Sequence, residues 1–346
     1  MSVRWIGCLL SCLVAGWGEP AHAEPPAVSR VLFGSCVNQN LPAPIFERML
    51  QADPELLIFL GDNVYADTAG MQVMRDKYQQ LAALPRFEEL RQHCPVLAIW
   101  DDHDYGQNDG GADFEQRAAA QEVFVDFWGD PPDSPRRKRP GVYDAHLFGP
   151  AGQRLQVILL DTRYFRSPLQ RGERRTGGPY VADPDPNKTM LGEAQWQWLE
   201  KQLREPAELR IIATGIQFAA EAAGQETWSN LPAERQRMIQ LIRRTGAEGV
   251  LFLSGDRHWS EVSAVRDGAP YVLYDITSSS LNQIHPRGTP TDNRNRIHDT
   301  TCHVPNFGIL QIDWSAPHPT VMASIVCVDG SVPIQIRITG DELRKP

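Results

Sequence analysis

Seven short apolar runs, at residues 31–34, 56–60, 96–100, 155–160, 209–214, 249–253 and 271–276, constrain the fold of this chain more than anything else in it. Most are continuous rather than alternating, which requires cover on both faces of the sheet they enter. Helical patterns at 43–51, 71–84, 116–128, 193–203 and 233–245 lie between them, and Pro42, Pro44 and Pro232 sit near helix starts, where a missing N–H costs little. Strand–helix alternation of this kind predicts an α/β fold. The segments 307–314, 320–327 and 332–338 read as antiparallel C-terminal strands, with a turn at Asp329-Gly330. Two irregular stretches, 165–191 and 281–305, are dense in Gly, Pro and charge, and loops of that length tend to be functional lips or disordered.

Chemistry gathers where the strands end. The first six runs are followed in turn by Ser35-Cys36, Gly61-Asp62-Asn63-Val64-Tyr65, Asp101-Asp102-His103-Asp104, Asp161-Thr162-Arg163, Gly215-Ile216-Gln217 and Ser254-Gly255-Asp256-Arg257-His258. Ligands of α/β sheets bind at the carboxyl ends of strands, so these residues are expected on one rim. Several carboxylates at one rim repel one another, and a bound cation removes that conflict. Hard oxygen donors favour Ca²⁺, Mg²⁺ or Mn²⁺; a thiolate from Cys36, with His258 and the phenolate of Tyr65, favours Fe or Zn. A mixed pair of metals ~3.5–4 Å apart is the usual clamp for phosphoester hydrolysis, one metal holding the attacking hydroxide and both holding phosphoryl oxygens. The Arg163 guanidinium suits phosphate oxygens, and Asp101 suits a supporting position behind the metal ligands. Asn63, Asn108, His285, His298 and His303 are further polar candidates on loops.

The motifs Gly34-Ser35-Cys36, Gly61-Asp62-Asn63-Val64-Tyr65, Trp100-Asp101-Asp102-His103-Asp104 and Gly255-Asp256-Arg257-His258 resemble those of the alkaline phosphatase D (PhoD-like) family, within the calcineurin-like metallophosphoesterase superfamily. Leu160-Asp161-Thr162-Arg163 and Lys188-Thr189-Met190-Leu191-Gly192, followed by Gln195-Trp196, fit as well, so the resemblance spans roughly residues 30–315. It implies a four-layer α/β/β/α sandwich, hydrolysis of phosphomonoesters or phosphodiesters, and an Fe plus Ca²⁺ centre. Carried over residue by residue, it makes Asp62 the ligand bridging both metals and Tyr65 a tyrosine ligand. Cys36 takes the place of the superfamily's opening Asp-x-His motif. Asp102 takes the place of a metal-binding Asn, and His103 becomes the group at the substrate phosphate and leaving group, oriented by Asp104. Gln217 falls where the superfamily often has a histidine ligand, and Asp256 and His258 replace a Gly-His-x-His pair. Long members carry an N-terminal β-domain and a twin-arginine leader; residues 24–30 leave no room for the first, and Arg4 stands alone.

Residues 1–23 read as a secretory signal, with one n-region charge at Arg4, an apolar stretch too short to span a bilayer, and Ala21-His22-Ala23 before the expected cleavage site. One metallophosphatase domain is expected over 24–346, periplasmic or secreted, with no membrane helix in the mature chain. Cys36, Cys94, Cys302 and Cys327 remain after cleavage; a Cys302–Cys327 bridge is open to them, and spacing does not decide it. The 346 residues carry 43 acids against 34 Lys and Arg, a net charge of −9, which argues against general nucleic-acid binding but not against a phosphate-ester substrate at a metal site. Arg136-Arg137-Lys138-Arg139 reads as a solvated basic loop, and Trp196 and Trp198 as packing residues. No Gly-x-Ser-x-Gly elbow or His-Glu-x-x-His motif occurs. The expected function is exported, metal-dependent phosphoester hydrolysis; the alternatives are a phospholipid- or other diester-specific phosphodiesterase and a non-catalytic metal- or phosphate-binding protein.

Overall fold

The computed structural model describes residues 26–175, 178–221, 224–285 and 293–345; residues 1–23, expected to be a signal, lie outside them. In chain order the elements are β1 (Arg30–Gly34), α1 (Ile45–Gln51), β2 (Leu56–Leu60), α2 (Met71–Ala82), α3 (Phe87–His93), β3 (Val96–Ile99), α4 (Asp102–Tyr105), α5 (Arg117–Phe127), β4 (Asp144–Phe148) and β5 (Leu155–Leu159). Then follow β6 (Arg171–Arg175), β7 (Gly178–Tyr180), α6 (Gly192–Leu203), β8 (Leu209–Thr214), α7 (Pro232–Thr245), β9 (Val250–Ser254), β10 (Glu261–Val265), β11 (Leu273–Thr277), β12 (Asn306–Asp313), β13 (Thr320–Cys327) and β14 (Ile334–Ile338).

Two six-stranded sheets result, ordered β14-β13-β12-β1-β2-β3 and β10-β11-β9-β8-β5-β4. The first is parallel across β1, β2 and β3 and antiparallel across β12, β13 and β14. The second is parallel across β5, β8, β9 and β11, with antiparallel β4 and β10 at its edges. Val31, Phe33, Ile58, Val157, Ile211 and Leu253 fill the space between the sheets. Their neighbours point the other way: Leu32, Leu57 and Phe59 pack on Phe46, Tyr78 and Phe124 of α1, α2 and α5. On the far side Ile212 and Phe252 pack on Trp196, Leu199, Met238 and Ile242 of α6 and α7. This is the expected α/β/β/α sandwich, and it explains why the runs are continuous: each strand buries both faces. Gly308 of β12 faces Phe33, where a Cβ would stand 2.1 Å from the ring.

Elements without a continuous apolar run escape a reading based on runs. β4 is a half-exposed edge strand with Asp144 and His146 in it. β10 turns Glu261 and Ser263 into a buried polar network rather than an apolar one. β6 and β7 form a hairpin in the first irregular stretch. α3 completes the helical layer, and α4 is a single turn carrying site residues. The Asp329-Gly330 turn is present, with Gly330 at φ +87°. The basic run is solvated in part: Arg137 and Lys138 are exposed, Arg137 pairing with Asp126 at 2.7 Å, whereas Arg136 is buried, paired with Asp130 and donating to the Ala98 carbonyl at 2.9 Å. Among the described residues no helix is long and apolar enough to cross a membrane.

Cys302, in the loop before β12, and Cys327, ending β13, bring their Sγ atoms to 3.3 Å in a buried position. An oxidant such as glutathione disulfide is predicted to join them by thiol–disulfide exchange. Peptide mapping of the oxidised protein should recover the two linked peptides; recovery of only unlinked peptides after prolonged oxidation would contradict this pairing.

Candidate metal centre

β1, β2 and β3 of one sheet and β5, β8 and β9 of the other end toward the same rim, and the chain turns sharply there. Cys36, Asp62, Asp256 and His258 hold positive φ angles of 64°, 50°, 69° and 59°. That region is uncommon for residues with a Cβ and concentrates at functional sites. The effect is to swing each side chain across the rim.

Asp62 is the centre of the arrangement. Potential ligand atoms of Cys36, Asp62 and His258 lie within 4.8 Å of one another; so do those of Asp62, Asp102 and His103, and those of Asp62, Asp101, Asp102 and Asp256. Asp62 therefore belongs to a sulfur- and nitrogen-containing set on one side and an oxygen-rich set on the other. Tyr65 joins the first set, its hydroxyl 2.7 Å from His258 Nε2. Cys36 Sγ lies 3.4 Å from Asp62 Oδ2 and 3.1 Å from Ser279 Oγ, and Ser279 Oγ also accepts the His258 N–H at 2.9 Å. Gln217 is buried, its Nε2 donating to Glu261 and Thr277 at 2.7 and 2.9 Å. Its Oε1 has no hydrogen-bond partner among the described residues, and neither do Asp101 Oδ2 and Asp102 Oδ1.

The electrostatics match a cation site. Burial, with Cys36 and Asp102 adding to it, pushes the Asp62 carboxyl well above the usual carboxylate range. Burial lifts Asp256 to about 7 and the Cys36 thiol to about 11. At Asp102, the burial penalty is outweighed by Arg163 and His103, and the carboxyl stays below its ordinary value. Burial and Arg257 hold His258 down to about 3, so it is a neutral donor. His103 goes the other way: burial opposes its charge, but Asp62, Asp67 and Asp102 raise it to about 11. Cations at Asp62 would favour the ionised form of every acid here. The donor set, with the unpartnered oxygens of Asp101 and Asp102 in it, thus fits bound metal ions.

Two sequence assignments change. Asp104 does not orient His103. Its Oδ1 accepts the Asp62 and Asp101 N–H groups at 3.2 and 2.6 Å, and its Oδ2 accepts the Asn63 N–H, Asn63 Nδ2 and the Tyr78 hydroxyl at 3.2, 2.5 and 3.3 Å. The group on His103 Nδ1 is Asp67, at 2.8 Å, while the ring lies against Tyr65 with centroids 4.3 Å apart. Arg163 is not open to a substrate. It is fully buried, with Nε 2.6 Å from Asp101 and Nη2 2.7 Å from Glu226. Its fork is used up in compensating buried acids. Asp101, a member of the carboxylate set, is lodged where Gly61 and Gly215 leave room: a Cβ on either would come within 2.4 and 2.3 Å of its side chain.

Other residues emerge only in three dimensions. Asp109 and Glu226 form a set with Asp102. Glu226 also pairs with Arg166 at 2.8 Å, and neither residue follows a strand, which removed the one signal available. Arg257, between Asp256 and His258 in its motif, pairs with Asp256, remains slightly open, and has a buried Nε without a hydrogen-bond partner among the described residues. Asn63 is buried against Asp104 and the Ile99 carbonyl, and Asn108 is exposed beside Asp109. His285 and His303 flank Trp259, with the His285 N–H donating to the His258 carbonyl at 2.9 Å, and His298 is half-buried.

Asp104→Ala leaves several buried donors without an acceptor, so we predict a loss of roughly 3 kcal/mol or more of stability, read by urea unfolding. Unchanged stability with turnover abolished would instead assign Asp104 to the reaction itself.

The PhoD-like phosphatase family model matches residues 31–313. Alkaline phosphatase D of Bacillus subtilis (strain 168) is 25% identical over 278 residues, which is 68% of this chain but 46% of that protein, so the chain spans about half the length of this curated relative. A solved structure of PhoD superposes with TM-score 0.69 at 18% identity, covering 92% of this chain and 70% of the other. The crystal structure of a dimetal phosphatase from Danio rerio has TM-score 0.50 at 12% identity, over 90% of this chain and 99% of that one. These two likenesses speak to the fold; the family match, over most of the chain and across every strand that feeds the rim, shows that this protein belongs to the PhoD-like phosphatase family.

Proposed function

We propose that the chain is a metal-dependent phosphoester hydrolase acting at the Asp62 centre. The observation that carries this reading is the sharing of Asp62 between a Cys36–His258 set and a carboxylate set, with the His103 imidazole across from it. Cys36, Tyr65 and His258 would hold a softer ion, Fe or Zn, and Asp102, Asp256 and Gln217 a harder one, Ca, Mg or Mn, with Asp62 between them. Such a pair supplies positive charge for phosphoryl oxygens and a water acidified to near neutrality.

The chain's own residues do the rest. Asp67 accepts from His103 Nδ1, which leaves Nε2 to donate to the leaving-group oxygen. Tyr65 stacking keeps that ring in place. Arg257, not Arg163, is the guanidinium available to phosphoryl oxygens once Asp256 turns to a cation. The reading includes export through residues 1–23, supported by Arg4, the short apolar stretch and Ala21-His22-Ala23; an exported protein beginning at Glu24 is the expected N-terminal sequencing result.

Asp62→Asn is predicted to lose metal, measured by elemental analysis, together with about 10³-fold or more of its turnover of 4-nitrophenyl phosphate. Retained hydrolysis in metal-poor protein would sink the assignment. His103→Ala should keep its metal and lose roughly 10²–10⁴-fold in kcat, more for an alkyl than for an aryl phosphate, because the alkoxide needs the proton more. Equal losses for both leaving groups would remove His103 from that role.

A further inference from the structure

The β6–β7 hairpin brings a cation to the edge of the centre that the proposed reaction does not use. Arg171 and Tyr180 are cross-strand partners, and the guanidinium lies 5.4 Å from the centroid of the Tyr180 ring, with Nη2 3.4 Å from its hydroxyl. The Tyr180 hydroxyl donates to Asp109 Oδ2 at 2.6 Å, and the Asp109 N–H donates to Asp102 Oδ2 at 2.7 Å. Arg171 is therefore two hydrogen bonds and one ring contact away from a carboxylate of the metal set.

The hairpin is clamped in that position. The Tyr180 N–H donates to the Gly224 carbonyl at 3.1 Å, and Gly178 and Gly224 pack so closely that a Cβ on either would come within 2.5 Å of the other's carbonyl oxygen. Glu226, two residues beyond Gly224, is a member of the Asp102–Asp109 set. One end of Arg171 is thus fixed to the site, while its side chain is exposed. Arg163 and Arg166 are paired with Glu226, and Arg257, beside Asp256, is already assigned to the scissile phosphate. Arg171 is held by a ring face and a phenol, and among the described residues no acid forms an ion pair with it.

We infer that Arg171, seated on Tyr180, is a specificity residue that receives a second anionic group, a carboxylate or phosphate, on the part of the substrate beyond the scissile phosphate. The inference rests on the phosphoester reading above. A guanidinium fork gives two parallel donors to such a group, and stacking on the ring lowers the entropy lost in making them. The contact is solvent-exposed, so its effect should shrink as ionic strength rises.

Two substrates that differ in this feature test it: 3-phosphoglycerate carries a carboxylate where glycerol 3-phosphate carries a neutral hydroxymethyl group. Metal-loaded Arg171→Ala should lose about tenfold or more in kcat/KM for 3-phosphoglycerate and stay within about twofold for glycerol 3-phosphate, with Arg171→Lys between wild type and Ala. Equal effects on both compounds, or none, overturn the inference. The phosphoester reading is judged separately by 4-nitrophenyl phosphate turnover of the same preparation; if wild-type protein hydrolyses neither compound, calorimetric binding of the two still decides Arg171. A preference for the carboxylate compound that disappears in Arg171→Ala supports the role, and no preference contradicts it.

Discussion

Everything at the rim depends on keeping five carboxylates, Asp62, Asp101, Asp102, Asp104 and Asp256, in the dry junction between two sheets. Unpaired buried charge is prohibitively costly, so each acid needs a named compensation. Asp104 receives it from backbone and side-chain donors, Asp101 from Arg163, and Asp256 from Arg257. Asp62 has the least: Cys36 Sγ and a long contact from the His103 N–H at 3.4 Å. Asp62 and Asp102 each belong to three of the ligand sets, and Asp62 has the poorer protein partners of the two, so it is where added positive charge would gain most.

That compensation divides the site into two shells with different jobs. Arg163, Arg166 and Glu226 form a fully buried ion network behind the ligands, and Asp104 ties the β2 and β3 loops together by their backbones. These groups set geometry. Cys36, Asp62, Asp102, His103, Asp256 and His258 offer the clustered ligand atoms, with Tyr65 on His258 and Arg257 on Asp256. The five rim acids also contribute to the net charge of −9.

The sandwich was legible because its strands are buried on both faces, so Leu56–Leu60 and Leu209–Thr214 read as continuous apolar runs that coincide with β2 and β8. The rim residues were legible because each follows such a run. Where that signal stops, so did the reading. β4 and β10 mix polar residues into edge strands, and Glu226 and Asp109 sit on loops whose position depends on tertiary packing. Asp104 and Arg163 were assigned to the right place and the wrong partner: sequence puts a side chain near a rim, but which atom it meets is decided by the turn of α4 and by Glu226 arriving from a distant loop. Asp67, four residues past Asn63, became the His103 partner because the chain folds back there, with the Ala66 and Asp67 N–H groups on the His103 carbonyl at 3.2 and 3.3 Å.

The central claim is that this buried acid cluster works only as a cation site. The most direct measurement is the metal content of native wild-type protein during stepwise chelation, followed in parallel with phosphate-ester turnover. The account predicts about two metal equivalents per chain, turnover that falls as they are withdrawn, and recovery when they return. Full turnover by protein stripped of metal would contradict it.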